Sequence, residues 1–383
     1  MIINPSQRLK TVKEYYFSKK INEIREMMND GKPVINLGIG SPDLPPSKKT
    51  ISALQNSAEN ENHHGYQSYI GVPELRSTYA SWYKKYYHVD LNPDNEVLPL
   101  IGSKEGILYI SLAFLNAGDE VLIPNPGYPT YSSVSDLVQA KIRYYDLNEE
   151  TNWEPDFKKL EDTDLSNVKI MWVNYPNMPT GKNSSIELFK KIIDFGKKHK
   201  FLICNDNPYS FIQNNNPQSI LCVEGAKDVA IELNSLSKSH NMAGWRMGVL
   251  TGNNEYIKTV LKVSSNVHSG MFLPMQHAAI EALKNPESWY KKINIIYAER
   301  KKIAFEIFNI LGCIYDDKQV GMFVWAKIPE KYHSSEAISD ELLYKYNVFI
   351  TPGFIFGSNG NNYLRISLCA NVNKLQEAKE RIK

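Results

Sequence analysis

The sequence predicts an α/β protein, with a large domain built on a mainly parallel sheet between helices and a small α+β domain attached to it. Three observations carry that prediction. From about residue 98, short apolar runs alternate with amphipathic stretches, as expected of strands joined by crossover helices. "NPESWYKKINIIYAERKKIAFEIFNILG" (285–312) then reads as one long helix that takes the chain into another layer. After it the texture changes to a strand, helix, strand and helix in "GMFVWAKIP", "SEAISDELLYKYNVFITPG", "NYLRISLCA" and "NVNKLQEAKERI".

In the large domain, "EVLPLIG", "EVLIP", "KIMWVNYP", "FLICND", "VAIELNSLS" and "RMGVLTG" read as strands. "SKEGILYISLAFLNAG", "SSIELFKKIIDFGKKHK" and "NEYIKTVLKVSS" read as helices. The stretch before about residue 45 reads as a helix and a Gly/Pro-rich loop able to pack on the small unit. The expected division is 46–284 for the large domain, and 1–45 with 285–383 for the small one. There are no internal repeats, and "QNNNPQ" (213–218) and "GSNGNN" (357–362) are loop tips.

Composition excludes several classes of function. The 383 residues carry 44 Lys and Arg against 42 Asp and Glu, a net charge of +2, so no single-sign field covers the molecule and nucleic acid is not an expected partner. The lysines of "FKKIIDFGKKHK" (189–200) complement the end of a helix dipole and face water. Four cysteines without CxxC spacing and eight histidines without ligand spacing point to no metal, and "HH" at 63–64 is a surface pair. The N-terminus lacks an apolar signal core, and the longest apolar-rich run (106–118) falls short of the roughly 20 residues a membrane span requires. A cytoplasmic setting without a membrane partner is expected.

"SLSKSHNMAGWRMG" (235–248) puts Lys238 just past a predicted strand, at the sheet end where open α/β folds bind ligands. A lysine there can condense with a carbonyl. Such a partner calls for an acid beside a ring nitrogen, a phosphate anchor and an aromatic cover. "ICNDNPYS" offers Asp206 and Tyr209 at another strand end, though a loop cap and a surface tyrosine explain them equally. "LIGSKEGILYISLAF" is a strand, a Gly-Ser turn and a helix, whose N-terminal N–H groups suit a phosphate or simply a cap. Ser235, Ser237 and Arg246 flank Lys238 and can complete that anchor. "NPGYPTYSS" places Tyr128 in a turn where it can cover a flat ring or be an ordinary turn aromatic. Arg365, inside the apolar run "NYLRISLCA", calls for an anion, either a substrate carboxylate or a structural acid.

The order "Y…GVPELR", "GSKEG", "NPGYPTY", "NYPNMPTG", "NDNPY", "SLSK…GWRMG", "LRIS" resembles that of class I/II aminotransferases of fold type I, over nearly the whole chain, and within them the branch of LL-diaminopimelate and aspartate/aromatic enzymes. The resemblance implies a seven-stranded, mainly parallel sheet, pyridoxal 5′-phosphate as cofactor, and an L-amino acid and a 2-oxo acid as substrates. It implies that Lys238 forms the Schiff base, that Asp206 partners the pyridine nitrogen and that Tyr209 donates to the ring hydroxyl. Ser103, Lys104, Ser235, Ser237 and Arg246 match the phosphate cup, Tyr128 the stacked residue, and Arg365 the grip on the α-carboxylate. Tyr66 matches a tyrosine that reaches the neighbouring subunit's phosphate, implying a homodimer with shared sites, and Gly40 matches the loop over the substrate. One position departs from the pattern. Met178 stands where the family carries an asparagine that bonds the ring hydroxyl, which leaves Asn177, Asn174, or Arg365 with backbone alone, to take over that contact.

The implied reaction is a ping-pong transamination with Lys238 as proton carrier. A carbon–sulfur β-lyase on the same scaffold is one alternative. The other is a non-catalytic regulatory module, for which a motif-bearing region starting by residue 35 leaves no room for a DNA-binding domain. Tyr15, Tyr16 and Phe17 are placed to cover the pocket or to form a plain amphipathic helix.

Overall fold

The computed structural model describes residues 3–10 and 16–383. Its twelve strands are β1 (Ile35–Asn36), β2 (Val97–Leu100), β3 (Glu120–Asn125), β4 (Lys141–Asp146), β5 (Val168–Val173), β6 (Leu202–Asp206), β7 (Ala230–Ser235), β8 (Gly248–Gly252), β9 (Phe323–Lys327), β10 (Val348–Phe349), β11 (Thr351–Pro352) and β12 (Tyr363–Ser367). Seven of them form one sheet in the order β2-β8-β7-β6-β5-β3-β4. Only β8 runs against its neighbours.

Apolar side chains fill both faces of this sheet, which is why its central strands read as nearly continuous apolar runs. Ile170, Trp172, Cys204 and Ile231 pack on one side with the helix Ser103–Phe114, whereas Met171, Val173, Ile203 and Val249 face the helix Ile186–His199 on the other. That second helix starts where the Ser185 hydroxyl accepts from Leu188 N, and closes with Lys197, Lys198 and His199 in its last turn, so the basic cluster belongs to the helix end as expected.

The edge strand β4 is the one strand of the large sheet without an apolar run, and its pattern predicts no strand. Its sequence, KIRYYD, is half exposed, and Arg143 is spent on an ion pair with Glu120 of β3 at 2.8 Å. An edge strand needs neither face fully apolar, and charge on it discourages pairing with other chains.

The C-terminal elements form a separate three-stranded antiparallel sheet in the order β11-β12-β9, with Arg365 opposite Trp325 on one side and Thr351 on the other. The helix Glu287–Leu311 runs beside it and ends in the left-handed Gly312. The segment from residue 16 to 45 joins these elements. β1 pairs in parallel with β10, and Ile24, Met27 and Val34 share a small core with Leu343 and Phe349.

Candidate active site

The carboxyl ends of the parallel strands meet at one edge of the large sheet, and a cavity of about 610 Å³ opens there against β9, β12 and the start of the helix Tyr16–Asn29. Its wall contains Gly40, Ser103, Lys104, Tyr128, Asn174, Met178, Asp206, Tyr209, Ser235, Ser237, Lys238, Arg246 and Arg365. Residues spread over more than 300 positions of sequence thus converge on one pocket of a size that suits a small cofactor with its substrate.

Several are set by the end of an element. Asp206 is the last residue of β6; its Oδ2 accepts from the Tyr131 hydroxyl at 3.0 Å, while Oδ1 is buried with no partner. Burial pushes this carboxyl up to about 7, against the pull of the Tyr131 hydrogen bond. Tyr131 is itself stacked on Trp172, with centroids 5.0 Å apart, and Tyr128 meets Tyr131 edge-on. Lys238 lies in the single helical turn that follows β7 and donates to the carbonyl of Gly40. Burial holds its amine below the usual lysine range. Burial likewise raises the Tyr209 hydroxyl.

At one end of the pocket, Ser103 opens the helix Ser103–Phe114 after Gly102, which sits at φ +91, and a Cβ on Gly102 would lie 2.2 Å from the Arg246 guanidinium. Arg246 pairs with Glu105 at 3.0 Å and also donates to the Ala243 carbonyl at 3.0 Å. The Ser235 hydroxyl accepts from Ser237 N at 3.1 Å. The arrangement gathers hydroxyls, a helix N-terminus and a guanidinium, which together suit a phosphate.

At the other end, Arg365 is buried between two rings, its guanidinium carbon 3.9 Å from the centroid of Phe323 and 4.6 Å from that of Phe356. It donates to the Gly38 carbonyl at 2.9 Å and to the Met178 sulfur at 3.3 Å, and its Nε has no partner. Burial lowers it to about 10, so it remains a cation at neutral pH. Gly40 lies so close to Phe323 that an added Cβ would fall 2.6 Å from the ring, which explains a glycine there.

The comparisons with known proteins agree with this geometry. The family model described as aminotransferase class I and II matches residues 32–382. The chain belongs to the class I and II aminotransferase family. It is 42% identical over 380 residues to the LL-diaminopimelate aminotransferase of Aquifex aeolicus, covering 99% of this chain and 98% of that one. Its fold matches substrate-bound BacF of Bacillus subtilis at a TM-score of 0.94 and 37% identity, covering 100% of this chain and 97% of that one. A probable N-succinyldiaminopimelate aminotransferase of Thermus thermophilus matches at 0.89 and 29% identity, over 95% and 98% of the two chains. The protein is an aminotransferase, and the β-lyase and regulatory alternatives are not favoured.

Within this aminotransferase two expected positions need correction. Asn177 is absent from the pocket wall, because its amide is spent inside its own turn, accepting from the Thr180 hydroxyl at 2.8 Å and donating to the Asn174 carbonyl at 3.2 Å. Asn174 does reach the wall, but its side chain ties backbone together, donating to the Asp206 carbonyl at 2.6 Å and accepting from Met178 N at 2.7 Å. Both amides are thus engaged with groups of this chain. Tyr66 lies outside this chain's pocket, 93% exposed on the surface.

Several wall residues carry no motif. Tyr131 stands three positions after Tyr128, and its helical spacing was the available signal; Glu105 follows directly on Ser103 and Lys104. Phe323, Ile355 and Phe356 come from the small sheet and its loop with no spacing that announces them. Phe17 and Ser18 line the mouth, Tyr16 packs edge-on against Phe354, and Tyr15 lies outside the described residues. Among the described residues no group of three or more His, Cys, Asp or Glu is placed to hold a metal, and no helix is long and apolar enough to cross a membrane.

Proposed function

We propose that this pocket holds pyridoxal 5′-phosphate and moves an amino group from an L-amino acid to a 2-oxo acid in two half-reactions. The observation that carries the reading is Asp206: a fully buried carboxylate with one oxygen held by Tyr131 and the other unpartnered and set in the pocket wall. A buried acid left half-satisfied is costly unless a cation completes it, and a protonated pyridine nitrogen is such a cation. The other residues fit the same group. Ser103, Lys104, Ser235, Ser237 and Arg246 would take the phosphate, Tyr128 the face of the ring, and Tyr209 its hydroxyl.

When bound, the cofactor supplies an electron-withdrawing ring that accepts the charge left at the amino acid's α-carbon. The chain's own residues do the rest. Arg365 binds the α-carboxylate and fixes the angle of the α-carbon–hydrogen bond. The Lys238 amine, held below the usual lysine range by burial, takes that proton at Nζ and returns it, acting as base and then acid. Phe323 and Phe356 keep water from the reacting atoms.

We also propose a cytoplasmic homodimer in which Tyr66 reaches the neighbouring site; the near-complete exposure of this large aromatic side chain supports the shared site. We further propose the division into 46–284 and 1–45 with 285–383, supported by the separation of the seven-stranded sheet from the three-stranded one. LL-diaminopimelate, which the curated relatives' names specify, is one donor to screen. The test is direct: the purified protein should absorb in the visible range with bound pyridoxal phosphate, and borohydride should fix the label on Lys238. Lys238→Ala should keep cofactor and lose at least about a thousandfold in turnover. A protein that takes up no pyridoxal phosphate, or turns over normally without Lys238, would end this reading.

A further inference from the structure

We propose that Met178 is a positioning residue, whose thioether holds the Arg365 guanidinium in its binding pose without neutralising it. This rests on the reading of Arg365 as the carboxylate site. The guanidinium has five N–H donors, yet its hydrogen-bond partners are one carbonyl, that of Gly38 at 2.9 Å, and one sulfur, that of Met178 at 3.3 Å. Its Nε is buried and unpaired, and no carboxylate among the described residues forms an ion pair with it. The rings of Phe323 and Phe356 lie 3.9 and 4.6 Å from its guanidinium carbon, and neither offers a hydrogen-bond acceptor that would close the group.

A thioether is a weak acceptor, so it directs Nη1 at little cost when a carboxylate arrives. An acid in its place would fill the site beforehand, and a plain hydrocarbon would leave Nη1 with nothing to orient it. Met178 is itself held from behind: its backbone N donates to Asn174 Oδ1 at 2.7 Å, and Asn174 Nδ2 donates to the Asp206 carbonyl at 2.6 Å. The Met178 backbone is thereby tied to the strand end that carries Asp206. The two groups that must address the same substrate, Arg365 and Asp206, share one short hydrogen-bonded support.

The test uses the holoenzyme with Met178→Leu, which keeps apolar volume and removes the acceptor, Met178→Ala, which removes both, and Met178→Gln, which restores an acceptor. Leu and Ala should each raise KM for both the amino donor and the oxo-acid acceptor by about three- to tenfold, with kcat within about twofold. Gln should return KM to within about twofold of the parent. Reaction of the bound cofactor with a simple primary amine that lacks a carboxylate should be the same in all four proteins. An unchanged KM in Met178→Leu with a raised one in Met178→Ala would show that the residue only packs, and would overturn the proposal. So would an equal slowing of the carboxylate-free amine. If Met178→Leu does not fold, the split between carboxylate substrates and the bare amine in Met178→Ala decides. Absence of transamination in the parent protein would instead defeat the underlying reading.

Discussion

Two buried arginines, 65 positions apart in sequence, show opposite uses of the same side chain. Arg300, 3% exposed on the long helix, is met by both oxygens of Asp43 at 2.6 and 2.8 Å and by the Leu368 carbonyl at 2.9 Å. Arg365, 6% exposed on β12, meets a carbonyl, a sulfur and two rings. The first is closed by a bidentate carboxylate, and the second is left open toward a cavity. Sequence context does not name the partner of either: Arg365 sits in the apolar run "YLRIS", whereas Arg300 lies between Glu299 and Lys301 and is closed by Asp43, 257 positions away. What separates them is where the loop 37–47 passes. Asp43 on that loop closes Arg300, and the same loop offers Arg365 only the Gly38 carbonyl while Gly40 accepts from Lys238. One ion pair thus anchors the loop that leaves the other arginine available.

The sharpest way to break this comparison is to open the closed arginine. Asp43→Ala leaves Arg300 buried and uncompensated, and should cost about 3–5 kcal/mol of stability, read from the midpoint of urea unfolding. The loop should loosen with it, so that KM rises as well. A loss under about 1 kcal/mol would mean that water or another group satisfies Arg300, and the contrast between the two sites would fail.

Removing the open arginine should do the reverse. Arg365→Gln takes away a buried cation that has no acid of its own, so the unfolding midpoint should hold or rise. Binding should suffer instead, with kcat/KM lower by about a hundredfold, roughly 2.7 kcal/mol, for donor and acceptor alike. Equal kinetics for a carboxylate-bearing donor in this variant would assign the carboxylate to another residue.

The sequence carried most of the large domain and the heart of the site. Asp206 ends β6, Ser103 opens a helix, Lys238 and Tyr209 lie just past strand ends and Arg365 sits inside β12; the runs that flank them are legible, and all five line the pocket wall. What was not legible depends on tertiary placement. The strand β4 has no apolar period because it lies on an edge. Asn177 was the natural substitute beside Met178 in sequence, yet a turn closed by Thr180 consumes its amide. Phe323 and Phe356 frame Arg365 from two separate elements of the small sheet, a pairing that no local spacing encodes.

Asp206 extends the same contrast to an acid, being closed on one oxygen and open on the other. In the cofactor-free protein its raised carboxyl, about 7 against an unfolded value near 4, keeps a proton that the unfolded chain gives up. Stability should therefore fall as pH rises from about 4 to about 7 and level off above, the sign that linkage requires when the native state binds more protons. Asp206→Asn should flatten that slope, and a melting series across this range that is already flat in the parent would show the carboxyl to be solvated. Tyr131→Phe is the finer probe, because it removes the closing hydroxyl and leaves the stacked ring on Trp172 in place. That hydrogen bond favours the charged form, so its loss should move the fall in stability to higher pH and, with cofactor bound, lower kcat by about five- to tenfold, near 1 kcal/mol. An unchanged profile in Tyr131→Phe would mean that the carboxylate is oriented by its strand alone, and that the difference between closed and open groups in this pocket is made by backbone.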